Sequence, residues 1–295
     1  MNYKLKDLKM NKILILFLMS LPSVVFAAIT DDNPYDMSPF DKVIKLTNGS
    51  LYPSSYEASK FGDEGGCNMV KEHWGWTDLN CTAMDKLLVA AGRNIDTLVI
   101  ETPRNIGYVE FDDWYKDNKE GDIDEIVKLI KQMYLAQSER VNRELKFLRW
   151  IVYPTLVEDK NYMYYAYLMS DDGNINPIIE SMIYDRNGYI KFQIVPQNLT
   201  ESSSESEYRT TVESVLNLYT PDLGIRYADY TKGDKVYQYG VIGSLAALAG
   251  VSWKGKGKAA AAGIFGMILI FAKKLWWLIF IPVIALFKRL FGKKD

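Results

Sequence analysis

Four runs of β-branched and aromatic residues, Trp150 to Glu158, Tyr162 to Ser170, Pro177 to Tyr184 and Gly188 to Val195, follow one another with only short polar breaks between them. The breaks read Glu158-Asp159-Lys160-Asn161, Asp171-Asp172-Gly173-Asn174 and Asp185-Arg186-Asn187-Gly188, and connections that short predict antiparallel neighbours. Asn187-Gly188 is the strongest short hairpin signal among them. Met163 to Met169 is apolar on both faces, as a strand in the middle of a covered sheet must be. Ahead of these runs, Ile123, Ile126, Val127, Ile130, Met133, Tyr134, Val141, Leu145 and Leu148 recur at three-and-four spacing, which predicts an amphipathic helix from Asp122 to about Leu148. Its other face carries Lys128, Lys131, Glu139, Arg140, Arg143 and Glu144, a solvated surface. Thr97 to Glu101 and Gly107 to Phe111 read as two earlier strands, and Glu201 to Ser206 as the loop and cap before a helix reaching about Tyr219. The expectation is an α+β fold: an antiparallel sheet packed on a long amphipathic helix, followed by a C-terminal membrane helix region.

The two ends carry different signals. Lys4, Lys6, Lys9 and Lys12 precede the apolar run Ile13 to Phe26, and Val25-Phe26-Ala27 offers small residues for cleavage, so 1–27 reads as a signal peptide. At the other end Tyr239 to Trp253, Ala259 to Ala272 and Leu275 to Phe287 are apolar runs separated by basic clusters. A helix needs about 20 residues to cross hydrocarbon, so the expected span is Ile264 to Phe287, at the cost of Lys273 and Lys274 near its middle. An alternative puts the span at Val236 to Trp253, which leaves every basic cluster inside but is rich in glycine.

Between the ends, residues 13–253 hold 22 basic and 35 acidic side chains, a bias that suits a translocated body and argues against a nucleic-acid partner. The expected organisation is therefore a signal peptide at 1–27, a loosely ordered segment at 28–60, an extracytoplasmic α+β domain at 61–235 and an anchoring tail at 236–295. The expected place is a bacterial inner membrane, crossed once, with the main domain periplasmic or extracytoplasmic and the C-terminus cytoplasmic. Expected partners are the lipid bilayer and other envelope proteins.

Gly107-Tyr108-Val109, Asp112-Asp113, Asn142-Arg143, Trp150 with Pro154, the segment Gly224-Ile225-Arg226-Tyr227-Ala228-Asp229-Tyr230, then Asp234-Lys235-Val236 and Tyr239-Gly240 together resemble a bacterial family of predicted membrane-anchored proteins, domain of unknown function family 2167. The resemblance covers about Phe61 to the C-terminus. It departs from the family's usual look in the sparse N-terminal region and the cysteine pair. The resemblance implies a membrane-anchored envelope protein and brings no reaction with it.

Candidate sites are few, because the chain has one histidine and two cysteines. Cys67 and Cys81 are an even pair in a secreted context and are expected to form a disulfide, with reduced thiols or a metal pair as alternatives. His73 alone cannot complete a zinc site with them. Asp112, Asp113 and Asp229 are candidates for carboxylate chemistry. Asp122 and Asp124 read as helix N-terminal charge, since Lys116 falls where a calcium loop would begin. No metal and no cofactor are expected. Two functions follow: a noncatalytic envelope scaffold or accessory module, and, alternatively, a carboxylate-dependent envelope hydrolase with Asp229 the first residue to test.

Overall fold

The computed structural model describes residues 37–39, 43–52, 57–61, 63–78, 81, 84–91, 95–251 and 253. The signal peptide expected at 1–27 and the span expected at Ile264 to Phe287 lie outside them. Among the described residues no helix is long and apolar enough to cross a membrane.

In chain order come β1 (Met37–Pro39), β2 (Ile44–Leu46), β3 (Gly49–Leu51), β4 (Glu57–Phe61), α1 (Asp63–Trp74), β5 (Met84–Ala91) and β6 (Ile95–Glu101). They are followed by α2 (Lys119–Val141), β7 (Leu145–Val157), β8 (Tyr162–Asp171), β9 (Asn174–Asp185), β10 (Gly188–Pro196), α3 (Glu205–Leu216), β11 (Tyr219–Pro221) and α4 (Gly240–Leu248). Eight strands form one antiparallel sheet in the order β1-β4-β5-β6-β10-β9-β8-β7, and β11-β3-β2 form a second.

Alternation along β8 explains the two-sided apolar run. Tyr164 and Ala166 point into one core with Ile179, Ile190 and Phe192, where Tyr208, Val212 and Val215 of α3 and Leu51 of β3 cover them. Met163, Tyr165 and Tyr167 point the other way, with Ile178, Met182 and Tyr184, under Ile123, Ile126, Ile130 and Tyr134 of α2 and Val241, Ile242, Leu245 and Leu248 of α4. Each face of the sheet thus has its own helical cover, and both burials are driven by removal of apolar area from water.

Several expectations are corrected. The helix predicted to reach Leu148 stops at Val141, where Asn142 turns left-handed at φ 50°. Leu145 and Phe147 are buried strand residues instead; Leu145 satisfies a helical spacing and a strand alternation equally, so periodicity alone could not place the boundary. Gly107 to Phe111 is not a strand: Tyr108 makes only an isolated parallel bridge to Val236. The helix expected to run to about Tyr219 ends at Leu216, and Tyr219 begins β11.

Residues 44–51 fall in the stretch expected to be loose, yet Ile44, Leu46 and Leu51 are buried and the strands pair with β11. The alternative span Val236 to Trp253 contains α4, a nine-residue helix inside the body, so the body runs on past Lys235 to Trp253. At the far edge, β7 shifts register against β8 between Phe147 and Arg149, between Trp150 and Val152 and between Val152 and Thr155.

Candidate functional site

Gly107 to Val109, Asp113, Tyr227 to Tyr230 and Asp234 to Gly240, among the residues that carried the family resemblance, meet around the entry to α4. A helix leaves its first N–H groups without internal partners, and α4 has no capping side chain of its own. Asp113, in a short 3₁₀ turn at Asp112–Tyr115, supplies the cap from a distant part of the chain. Val241 N–H donates to its Oδ1 at 2.8 Å and Ile242 N–H to its Oδ2 at 3.0 Å. Gly240 enters at φ +53°, and a Cβ there would lie 2.5 Å from the Asp113 carboxylate, so the approach requires glycine. One turn on, the buried Ser244 hydroxyl lies 2.8 Å from the Tyr184 hydroxyl, tying α4 to β9.

The segment before α4 is bound as closely. Tyr108 N–H donates to Lys235 O and Tyr237 N–H to Tyr108 O, both at 2.8 Å. Gly107 sits at φ +117° with the Lys235 carbonyl where its Cβ would be. Tyr108 stacks against Tyr230 at 4.1 Å and Tyr227 at 4.4 Å, and Tyr227 stacks in turn on Phe111 at 4.9 Å. The Tyr227 hydroxyl donates to Val109 O at 2.7 Å; burial pushes its phenol well above the usual range, with Tyr108 adding to the shift. Arg186 grips Asp234 through Nε and Nη2 at 2.7 and 2.8 Å, a bidentate pair.

The three candidate carboxylates do not share a pocket. Asp112 is exposed, and Asp113 is taken up by the α4 backbone. Asp229 accepts from Arg226 Nε at 3.1 Å, Nη2 at 3.0 Å and N–H at 3.0 Å, and the guanidinium holds its carboxyl below the ordinary range. A pair so engaged on its own turn is a structural clasp. Cys67 and Cys81 are joined by a disulfide with Cα atoms 5.2 Å apart. His73 lies at the end of α1, where its carbonyl accepts from Arg143 Nη2. Among the described residues no three His, Cys, Asp or Glu side chains are grouped to hold a metal.

Sequence reasoning passed over an ionic cluster inside the sheet–α2 core. Lys191 Nζ lies 2.9 Å from Glu101 Oε1 and 3.4 Å from Glu180 Oε2, with all three side chains at most 15% exposed. Glu180 Oε2 makes no hydrogen bond. Burial pushes the Glu180 carboxyl up to about 7, against the pull of Lys191. Burial also opposes ionisation of Glu101, but Lys191 and Arg104 outweigh it and hold that carboxyl low. The available signal was a lysine and a glutamate within two otherwise apolar strand runs; which charges face one another depends on register.

A shallow open depression lies beside Thr155, Val157, Glu158 and Arg209. Near it Glu213 Oε1 accepts from Tyr162 at 2.7 Å, and Lys160 and Arg209 each lie 3.0 Å away. The Tyr162 hydroxyl and these cations hold the Glu213 carboxyl down to about 2.

Fold and site together define an α+β body that closes around the short helix α4. The family described as "Protein of unknown function (DUF2167)" matches residues 57–284, and the chain belongs to it. No curated protein matches. Among solved structures, the cyanobacterial PsbP (CyanoP) of Synechocystis sp. PCC 6803 is similar at 11% identity, over 67% of this chain and 99% of that one, with a TM-score of 0.32. A likeness at that level carries no argument about this chain.

Proposed function

We propose that this protein is a noncatalytic module of the bacterial envelope, a scaffold or accessory subunit whose body stands outside the inner membrane. In this reading the leader is removed, a single span at Ile264 to Phe287 anchors the chain, and the C-terminus is cytoplasmic. The long helix α2 lays its apolar face on the sheet and turns its charged face to solvent. The observation that carries the proposal is the use of Asp113 and Asp229. Both sit at the approach to the tail, and both carboxylates are spent on holding chain segments together rather than presented to a substrate. A hydrolase would need several ionisable groups converging on one cleft, and no observation favours that reading.

Affinity purification from solubilised membranes tests the role: reproducible envelope partners are expected, and turnover that disappears on replacing Asp112, Asp113 or Asp229 would sink it. Topology is tested separately with a cysteine at Gly255, which should label from outside the cell; protection there would overturn the proposed orientation.

A further inference from the structure

We propose that the Lys191 amine condenses with the Glu101 carboxyl to form an intramolecular isopeptide cross-link between β10 and β6, with Glu180 carrying the protons. Phe192 pairs with Ile100, which sets Lys191 opposite Glu101 on adjacent antiparallel strands. Glu180, on β9, pairs with Gln193 and so stands diagonal to Lys191 on the same face. Lys191 Nζ is held 2.9 Å from Oε1 of Glu101 by two paired strands, the arrangement in which an intramolecular reaction gains most from proximity. Tyr165 pairs with Glu180 across β8 and β9, Tyr134 and Tyr167 are buried in the same core, and Arg104 Nη2 lies 3.2 Å from Glu101 Oε2.

The step balances within the cluster. The Lys191 ammonium gives one proton to the Glu180 carboxylate, which passes it to Oε1 of Glu101, and the freed amine attacks Cδ of the resulting acid. A C–N bond forms, and negative charge gathers on Oε2 beside Arg104, which stabilises it. Glu180 then carries a second proton from the nitrogen to Oε1, the C–O bond breaks and water leaves. One ammonium and one carboxylate become a neutral amide and a water. Lys191 is held in its protonated form by the two carboxylates, so the first transfer is uphill. It need happen only once in the life of each molecule. Glu180 suits the shuttle because its Oε2 has no other partner and burial weakens it as an acid. The product also removes two charges from an interior where their desolvation is costly.

Mass spectrometry of the full chain purified from membranes and then denatured tests this. The expected result is a protein lighter by one water than its processed sequence, no tryptic cleavage after Lys191, and one branched peptide containing Glu101 and Lys191. Lys191→Met should restore the full mass. Glu180→Gln, which keeps both reacting groups, should leave Lys191 cleavable. Full mass and cleavage after Lys191 in the unaltered protein would overturn the proposal, and a cross-linked Glu180→Gln variant would overturn the part given to Glu180.

Discussion

The Asp113 carboxylate accepts two backbone N–H groups of α4, one on each oxygen, and so caps that helix from a distant part of the chain. Asp113→Ala should cost about 0.5–2 kcal/mol, the range for losing a helix cap, read as a lower urea midpoint; an unchanged midpoint would remove the cap from the account. Glu180 makes the opposite kind of statement. Its folded carboxyl titrates near 7 against an ordinary value of 4.5, so the folded state binds the proton more tightly. The stability it contributes is full below pH 4.5 and is lost as pH rises through about 7. Glu180→Gln should flatten that slope in a series of melts across this window. Residue by residue, the sequence pointed to Asp113 and Asp229 as unusual but not to their work, because the partners that define it lie far along the chain or within a turn of unforeseen shape. Lys191 and Glu180 were visible as charges in strands, yet their meeting was not.

At the scale of elements, the meander β7 to β10 was legible because each break between runs is short and polar. The α2–β7 boundary was not, since Leu145 fits both periods. Gly107 to Phe111 shows the same limit from the other side: its residues alternate like a strand, but a helix entry and a ring stack claim them. Tyr227 holds that region through both its ring and its hydroxyl. Tyr227→Phe should therefore cost about 1 kcal/mol, the worth of one hydrogen bond. Tyr227→Ala should cost distinctly more, since it also empties the stack; equal losses would show that the rings contribute little. The disulfide acts on another element, tying Cys67 of α1 to Cys81 in the segment before β5. Replacing Cys67 and Cys81 with serine should lower stability by about 3 kcal/mol, as expected for a closed loop of about 15 residues. Chemical denaturation of oxidised and reduced protein offers the matching check.

For the whole molecule, α4 decides where the body ends. Val241, Ile242, Leu245 and Leu248 are buried in the core beneath the sheet, together worth about 6–12 kcal/mol of hydrophobic stabilisation, comparable to the net stability of a domain. A chain ending at Trp253 should unfold cooperatively, whereas one ending at Tyr239 should not, and calorimetry distinguishes them. The glycine and alanine content that made this stretch resemble a soft membrane span is what lets it pack against Asp113, Tyr184 and α2.

The irregular pairing of β7 reaches beyond the single chain. An open sheet edge is a template for any strand that drifts alongside. Three breaks in register bend this edge out of line, and Pro154 withholds an N–H at its middle. This edge is thereby guarded against lateral stacking with other copies of the chain, and a partner meeting it here has to read side chains rather than extend the sheet.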